Sequence, residues 1–379
     1  LGAAETVKLR LYSDRFDNEV TSYTNATYTT LRTSGQGSVA TGRSIYHDRT
    51  KGGAVELESR RFSGHTLRAV LQQRGDRHEE VDANAVRAAL FEDTLRSVGI
   101  EDLLEIGEQW QLSLGGARHE LKPDAVFSSS SAYGLPETTR ATNLQAGVFH
   151  DLTATSRVYG TLARKTRLPT LKDRYSQRLG SYVENPALGA ERSLNLEFGY
   201  VGQPLKSLAI EAAVFQSRVD DKIQSTFIAG GSSCSAATPC QMRNVGQTRV
   251  SGLELGLRSQ LASWLELGGN LTAMSQKNVS DPSIRAIGVP DRKLFVHALV
   301  KPAAQWSLQA TLEYNSARWA SNTVQLAGYT VAGLKARWEP LKGLSLEVGG
   351  DNLADKLYEL DAGFPSAGRS WYANVRHEF

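Results

Sequence analysis

The sequence predicts an all-β chain, a transmembrane antiparallel β-barrel with about 18 strands in these residues. Three observations predict it. The closing stretch alternates: counted back from Phe379 in steps of two, His377, Val375, Ala373 and Trp371 share one face. Glu378, Arg376, Asn374, Tyr372 and Ser370 share the other. A strand has a side-chain period of two, so this reads as a half-apolar strand of about 10 residues, the length that crosses a bilayer when tilted. Its apolar face suits lipid, its polar face suits a wet lumen, and it stops on an aromatic where the membrane would meet water. The second observation is that this alternation recurs along the chain, with a charged residue on the second face of nearly every strand. The third is loop length. Connections at Ser63, Asp151, Gln203, Ala262, Pro302 and Pro340 are short, and those at Lys122, Pro169, Ala229, Lys277 and Glu359 are long. Short periplasmic turns alternating with long extracellular loops are the pattern of an outer-membrane barrel.

Composition agrees. None of the 379 residues belongs to an apolar run long enough for a transmembrane helix, while alternating strands keep hydropathy low. Lys and Arg number 43 against 40 Asp and Glu, so nothing points to a nucleic-acid partner. Thirty-four glycines and 13 tyrosines against 2 methionines suit a turn-rich β chain. Leu1-Gly2-Ala3-Ala4 has neither a basic start nor an apolar core, so no signal peptide is expected here.

Taken in order, the first strand sets Val7, Leu9 and Leu11 against Lys8, Arg10 and Tyr12, and a less regular strand is expected from Tyr23 to Arg32. Val55 and Leu57 alternate with Glu56 and Glu58, then Leu67, Ala69 and Leu71 with Arg68, Val70 and Gln72. Asn84 to Val98 reads as a strand with Val86, Ala88 and Leu90 on one face, and its tail together with Gly99 to Leu104 also fits a short helix. Trp110, Leu112 and Leu114 form the next strand, and the Ser/Pro/Gly stretch from Lys122 to Thr139 reads as a loop. Leu144, Ala146 and Val148, then Val158 and Leu162, then Leu194, Leu196, Phe198 and Tyr200 continue the alternation. So do strands centred on Leu255, Leu267, Val296, Ala310, Ala336 and Leu346. Trp264, Trp306 and Trp338 all lie beside short turns, and with Phe379 they form an expected membrane girdle, where a half-buried ring keeps its polar edge in water.

Cys234 and Cys240 sit six positions apart in a Gly/Ser/Ala/Pro segment and read as a loop disulfide, which needs an extracytoplasmic setting. The alternative is two unpaired thiols. No Cys or His pair lies near enough to suggest a metal site, and no cofactor is expected.

The C-terminal stretch Asn352-Leu353, Asp355-Lys356-Leu357-Tyr358-Glu359, Gly363-Phe364-Pro365, Gly368-Arg369-Ser370 and terminal Phe379 resembles the C-terminal signature of TonB-dependent outer-membrane receptors. The family usually has an aromatic where His377 stands. Leu168-Pro169-Thr170-Leu171-Lys172-Asp173, Glu184-Asn185-Pro186-Ala187-Leu188 and Glu191 to Tyr200 resemble its mid-barrel block. Asn244-Val245-Gly246 leading to Val250-Ser251-Gly252-Leu253-Glu254 is a third match. The resemblance implies a barrel of 22 strands, of which this chain is the C-terminal part, without the plug domain, the segment that contacts TonB, or about four of the strands.

It implies uptake, energised by TonB, of a scarce and bulky ligand at the outer membrane, most often a ferric siderophore, with cobalamin, haem and sugars also open. A passive porin of similar strand number is the alternative; a soluble all-β module and an outer-membrane enzyme are further rivals. No catalytic motif is present: no GxSxG, HExxH or P-loop, and the seven histidines are scattered. Ligand contacts are expected from the long loops, where Arg174, Tyr175, Arg178 and Tyr182, joined by Tyr133, combine guanidinium and phenol groups that grip an anionic chelate. The expected partners are that ligand, outer-membrane lipid and TonB.

Overall fold

A computed structural model describes residues 4–34, 40–228 and 234–378. Its frame is a 16-stranded sheet in which each strand bonds to the next in chain order. The strands are β1 (Glu5–Thr21), β2 (Arg43–Ser59), β3 (His65–Asp82), β4 (Arg87–Ile106), β5 (Trp110–Ser128), β6 (Thr139–Thr153), β7 (Ser156–Arg167) and β8 (Glu191–Leu205). They continue as β9 (Leu208–Asp220), β10 (Thr248–Ala262), β11 (Leu265–Asn278), β12 (Arg292–Ala303), β13 (Trp306–Asn315), β14 (Tyr329–Leu341), β15 (Leu344–Asp351) and β16 (Ser370–His377). By contacts the chain divides into two compact units. One comprises Leu1–Val148, Leu162–Leu194 and Val219–Gln247, and the other Phe149–Thr161, Asn195–Arg218 and Thr248–Phe379.

In the first unit, antiparallel register carries apolar residues straight across the sheet. Leu9 lies opposite Val55, Val55 opposite Leu71, and Leu71 opposite Val98. One step along, Val7, Leu57, Ala69 and Ile100 are matched in the same way. Large side chains on this face are open rather than covered: Leu11 is 76 % exposed and Ile100 64 %. A soluble protein rarely leaves so continuous an apolar patch uncovered. The other face is wired by charge. Lys8 pairs with Glu56 (3.0 Å), Arg68 with Glu58 (3.0 Å) and Glu101 (3.5 Å), and Glu101 accepts from Gln145 (2.9 Å).

β1 to β5 run 17, 17, 18, 20 and 19 residues. Roughly 9–11 residues cross a hydrocarbon core, so about half of each strand stands clear of it. The sequence shows where that half begins: beyond Leu11 the apolar face of β1 turns to Ser13, Arg15, Asp17 and Glu19.

The second unit repeats the scheme with shorter strands. Leu267 faces Ala298, Ala298 faces Ala310, Ala310 faces Leu334, and the row ends at Gly350 and Trp371. Arg258 and His297 converge on Glu266 (3.0 and 3.5 Å), and Lys335 reaches Glu347 (3.5 Å).

The main sheet has 16 strands, within about two of the expected 18. Two local expectations meet corrections and one ambiguity is resolved. Tyr23–Arg32, expected as a less regular strand, is a loop closed by a bridge between Tyr23 and Leu31. Its Asn25 and Thr residues bond locally, with Thr27 N–H donating to Asn25 Oδ1 (3.1 Å), and so compete with a strand ladder. The ambiguous Asn84–Leu104 stretch is strand from Arg87 onward, with a turn at its start. The expected loop from Lys122 starts only after Ser128, because Pro123 is accommodated at a bulge: Asp93 pairs with Pro123 and Glu92 with Ala125, leaving Asp124 as the extra residue.

Leu9→Arg in the full-length protein is expected to cost about 2–4 kcal/mol of stability in a bilayer, since it puts a charge on the apolar face. Gln72→Arg, on the polar face, should cost less than about 1 kcal/mol. Denaturant titration in lipid vesicles distinguishes them, and equal costs would reverse the assignment of the two faces.

Candidate functional site

β7 ends at Arg167, and Thr170 then stops the chain from running on as strand. Thr170 accepts the Asp173 N–H (3.1 Å) while the Asp173 carboxylate accepts the Thr170 N–H (3.1 Å), a reciprocal cap that starts the short helix α1 (Leu171–Tyr175). Arg167 adds a bond to Asp173 (2.7 Å). This turn delivers two buried side chains to β4: Arg174, 3 % exposed, and Tyr175, 4 % exposed. The Arg174 guanidinium bonds the carboxylate of Asp93, itself 4 % exposed. Tyr175 stacks flat on Phe91 with ring centres 4.1 Å apart. Phe91 lies parallel to His78, and His78 contacts Tyr46, so rings run from β2 to the helix. Tyr133, from the loop after β5, leans on Tyr175 at 6.1 Å. Burial pushes the hydroxyls of Tyr133 and Tyr175 above their ordinary range, so both remain protonated.

Beyond the helix the loop is stitched to its neighbours. Gln177 donates to Ser130 (3.1 Å) and to Glu184. Arg178 holds a left-handed backbone conformation (φ 43°), and its guanidinium sits 4.0 Å over the ring of Tyr182. Tyr182–Val183 then pairs with Cys240–Gln241 of a small ribbon, Ile223–Phe227 with Cys240–Asn244. Tyr182 shares a hydrogen bond with Ser225 (2.9 Å). Asn185 donates to the Met242 carbonyl (2.9 Å), and Asn244 donates to the Asp221 carbonyl (2.7 Å) while accepting from Gly189 N–H (2.9 Å). The Cys234–Cys240 disulfide is formed and closes the ribbon.

All five loop residues expected from sequence therefore gather in one assembly. Arg174, Tyr175 and Tyr182 are spent on holding it, Tyr133 is half-buried against it, and Arg178 keeps its side chain exposed. Sequence reasoning missed the residues that receive them. Asp93 and Phe91 fall mid-strand with no motif around them, and an acidic residue on a polar strand face carries no signal of its own. Asn185 and Asn244 stand in motifs whose sequence gives no sign that their side chains staple the loop. Lys222, at the base of the ribbon, is also new; burial lowers its ammonium from the ordinary value.

The second unit has its own loop assembly. Arg285 lies 4.8 Å over the ring of Trp319, Arg318 donates to the carbonyls of Glu359 and Leu360, and Tyr329 stacks on Tyr358 at 4.1 Å. Asn352 is buried at φ 49° and bonds both the N–H (2.8 Å) and the carbonyl (2.9 Å) of Lys356. Among the expected girdle residues, Trp306 and Trp338 are register partners stacked at 5.7 Å, and Trp264 is half exposed in the turn before β11. Phe379 lies outside the described residues.

Residues 3–353 match the family model described as TonB dependent receptor-like, beta-barrel. The chain belongs to that family. It is an antiparallel transmembrane β-barrel protein of the bacterial outer membrane, in a family of receptors and transporters. Among curated relatives, the ferrienterobactin receptor of Escherichia coli strain K12 is 26% identical over 240 residues, 54% of this chain and 32% of that protein. The probable TonB-dependent siderophore receptor PiuA of Acinetobacter baumannii is 24% identical over 308 residues, 75% of this chain and 39% of that one. The ferric enterobactin receptor of Pseudomonas aeruginosa is 32% identical over 202 residues, covering 48% and 27%. The chain thus spans about a third of the length of the curated relatives it matches. In fold it is similar to the copper transporter OprC (TM-score 0.81, 19% identity, 100% of this chain and 65% of that chain). It is also similar to the ferric enterobactin receptor PfeA in complex with BCV-L6 (TM-score 0.69, 21% identity, 99% and 60%).

Two outcomes are expected of these TonB-dependent receptor loops. Arg174→Ala leaves Asp93 buried without its cation, which costs about 3–5 kcal/mol. The loop should open, and trypsin should cut at Lys172 or Arg178 in intact cells bearing the full-length protein. Arg174→Met combined with Asp93→Leu should be cut far less, because no charge is stranded. For the disulfide, a membrane-impermeant thiol reagent should label intact cells only after reduction. Labelling without reduction means free thiols, and none after reduction puts the loop on the other side of the membrane.

Proposed function

We propose that this chain is the barrel portion of a receptor that binds a ferric siderophore outside the cell and passes it inward with energy relayed by TonB. The observation that carries the reading is membership of the TonB-dependent receptor family over residues 3–353, joined to a knitted assembly of long loops at one end of the strands. Curated relatives named as ferrienterobactin, ferric enterobactin and siderophore receptors support that ligand class. In this reading the ligand meets Arg178, whose guanidinium is held over the buried ring of Tyr182. Tyr133, Arg174 and Tyr175 form the floor that fixes its position. A ferric chelate with anionic oxygens suits a guanidinium held over a phenol ring, which supplies charge-assisted bonding beside an apolar surface. Recognition and passage, rather than chemical conversion, is the role assigned. TonB engagement belongs, by the family plan, to a plug and an N-terminal segment rather than to the strands and loops described above. Trp264, Trp306 and Trp338 mark the inner membrane boundary, where the turns are short.

Cells making the full-length receptor should accumulate radio-iron from a siderophore, and a protonophore should stop them. Arg178→Ala should weaken siderophore binding about tenfold, the worth of one charge-assisted hydrogen bond. Uptake that survives the protonophore, together with a steady open conductance in planar bilayers, would instead establish a passive pore.

A further inference from the structure

The loop that follows β1 differs in chemistry from the rest of the chain. Thr21 to Leu31 carries no charged side chain, in a protein where 22% of residues are charged, and is made of two tyrosines, five threonines, a serine, an asparagine, an alanine and a leucine. Register sets it at the same end of the first unit as the Arg174 loop: Thr21 pairs with Arg43, Ser44 with Asp82, Val81 with Arg87 and Ala89 with Ser128.

Backbone bonds hold this loop in shape. Ser22 N–H donates to the Gly42 carbonyl (2.9 Å), Arg32 N–H to the Ser22 carbonyl (2.9 Å) and Thr24 N–H to the Thr30 carbonyl (2.9 Å). Leu31 packs on Gly42, where a Cβ would come within 2.9 Å of it. At the tip, Asn25 Oδ1 accepts the Thr27 N–H (3.1 Å) and the Thr27 hydroxyl, and the Thr27 and Thr29 hydroxyls share a hydrogen bond (3.0 Å). The turn sets Tyr28 at φ 55°, a left-handed conformation that bulky residues rarely adopt. Strain of this kind persists where the surroundings over-determine it, and here it presents a ring. Tyr28 is 70 % exposed and is braced edge-on by Tyr23, with ring centres 5.4 Å apart. Asn25, Thr27 and Thr29 are exposed beside it, and among the described residues the Asn25 amide nitrogen and the Tyr28 hydroxyl make no hydrogen bond.

We infer that this loop is a docking site for a neutral glycan at the cell surface. The apolar C–H face of a sugar ring lies on Tyr28, while its hydroxyls accept from the Asn25 amide and exchange hydrogen bonds with the Thr27 and Thr29 hydroxyls. An aromatic ring fixed in advance supplies contact area at low entropic cost, and small polar groups around it supply adaptable bonding. The absence of charge from Thr21 to Leu31 suits an uncharged sugar, since an anionic one would meet no cation in this segment. The glycan is held outside rather than carried inward, so uptake through the Arg178 site is independent of it.

The test applies the full-length protein in nanodiscs to immobilised dextran, mannan and galactan, to the charged polymers polygalacturonate and heparin, and to surface polysaccharide extracted from the producing strain. The wild type should be retained on at least one neutral polymer more strongly than on either charged one. Tyr28→Asn tolerates the same backbone conformation but has no ring, and should lower that retention about tenfold, whereas Tyr28→Trp should keep it. Siderophore-dependent iron uptake should be equal in all three, which separates failure of this site from failure of the transport reading. Retention on the strain's own polysaccharide identifies the cell's coat as the source, and retention on the other neutral polymers alone identifies a foreign glycan. The site is overturned if the wild type holds no neutral polymer, if Tyr28→Asn holds it equally well, or if retention survives periodate oxidation of the sugar rings.

Discussion

A backbone N–H or C=O in hydrocarbon has no water to turn to, and each one left unbonded costs several kcal/mol. In a chain that crosses the membrane as strands, the ladder between neighbours must therefore be continuous, and most local features of this sheet follow from keeping it so. Strands tilt and twist, and side chains crossing the ladder need room. Glycine provides it where rings lie flat. A Cβ on Gly199 would come within 2.3 Å of Tyr159, and one on Gly349 within 2.5 Å of Tyr372, so each glycine is what lets its ring cover the neighbouring backbone. Where Pro123 offers no N–H, the ladder is kept by slipping one residue at Asp124 rather than by ending the strand.

With the ladder fixed, alternation decides what each face meets, and that is why so much of the fold was legible. Residues 370–377 and the rows through Leu255, Val296 and Ala336 announce both their structure and their solvent, since one face is apolar and the other charged. Legibility fails where the surroundings stop being two different solvents. The outer halves of β1 and β2 stand clear of lipid, so Asp14 to Glu19 and Arg43 to Lys51 carry no alternation to read, although the strands run on through them. Strand and turn-rich loop look alike there, which is why Tyr23–Arg32 was expected as strand and Lys122–Ser128 as loop.

The loop was legible in composition but not in the role of each residue. Arginine and tyrosine crowd into one long loop, and the loop is organised around them. Sequence alone cannot say which of them points outward, because that depends on a receiving residue far away in the chain. Arg174 is committed by Asp93, 81 positions earlier. Tyr175 is committed by Phe91 on the same strand, two residues away, on the same face as Asp93. Only a register that brings β4 beneath the loop makes those partners available.

This division of labour has an energetic reason. A loop of some 20 residues ordered only on ligand contact would give up about 1–2 kcal/mol of backbone entropy per residue from its binding energy. Here that cost is met during folding. The Arg174–Asp93 pair, the Tyr175–Phe91 stack, the asparagine staples at 185 and 244 and the Cys234–Cys240 bridge hold the loops in place beforehand. Burying a charge pair is a poor way to gain stability by itself, because desolvation offsets most of the attraction. It is a good way to fix a position, because the pair tolerates only one arrangement. In a loop held in this way the proposed ligand contact, Arg178 over Tyr182, keeps its charge exposed while the ring beneath it is locked to Ser225.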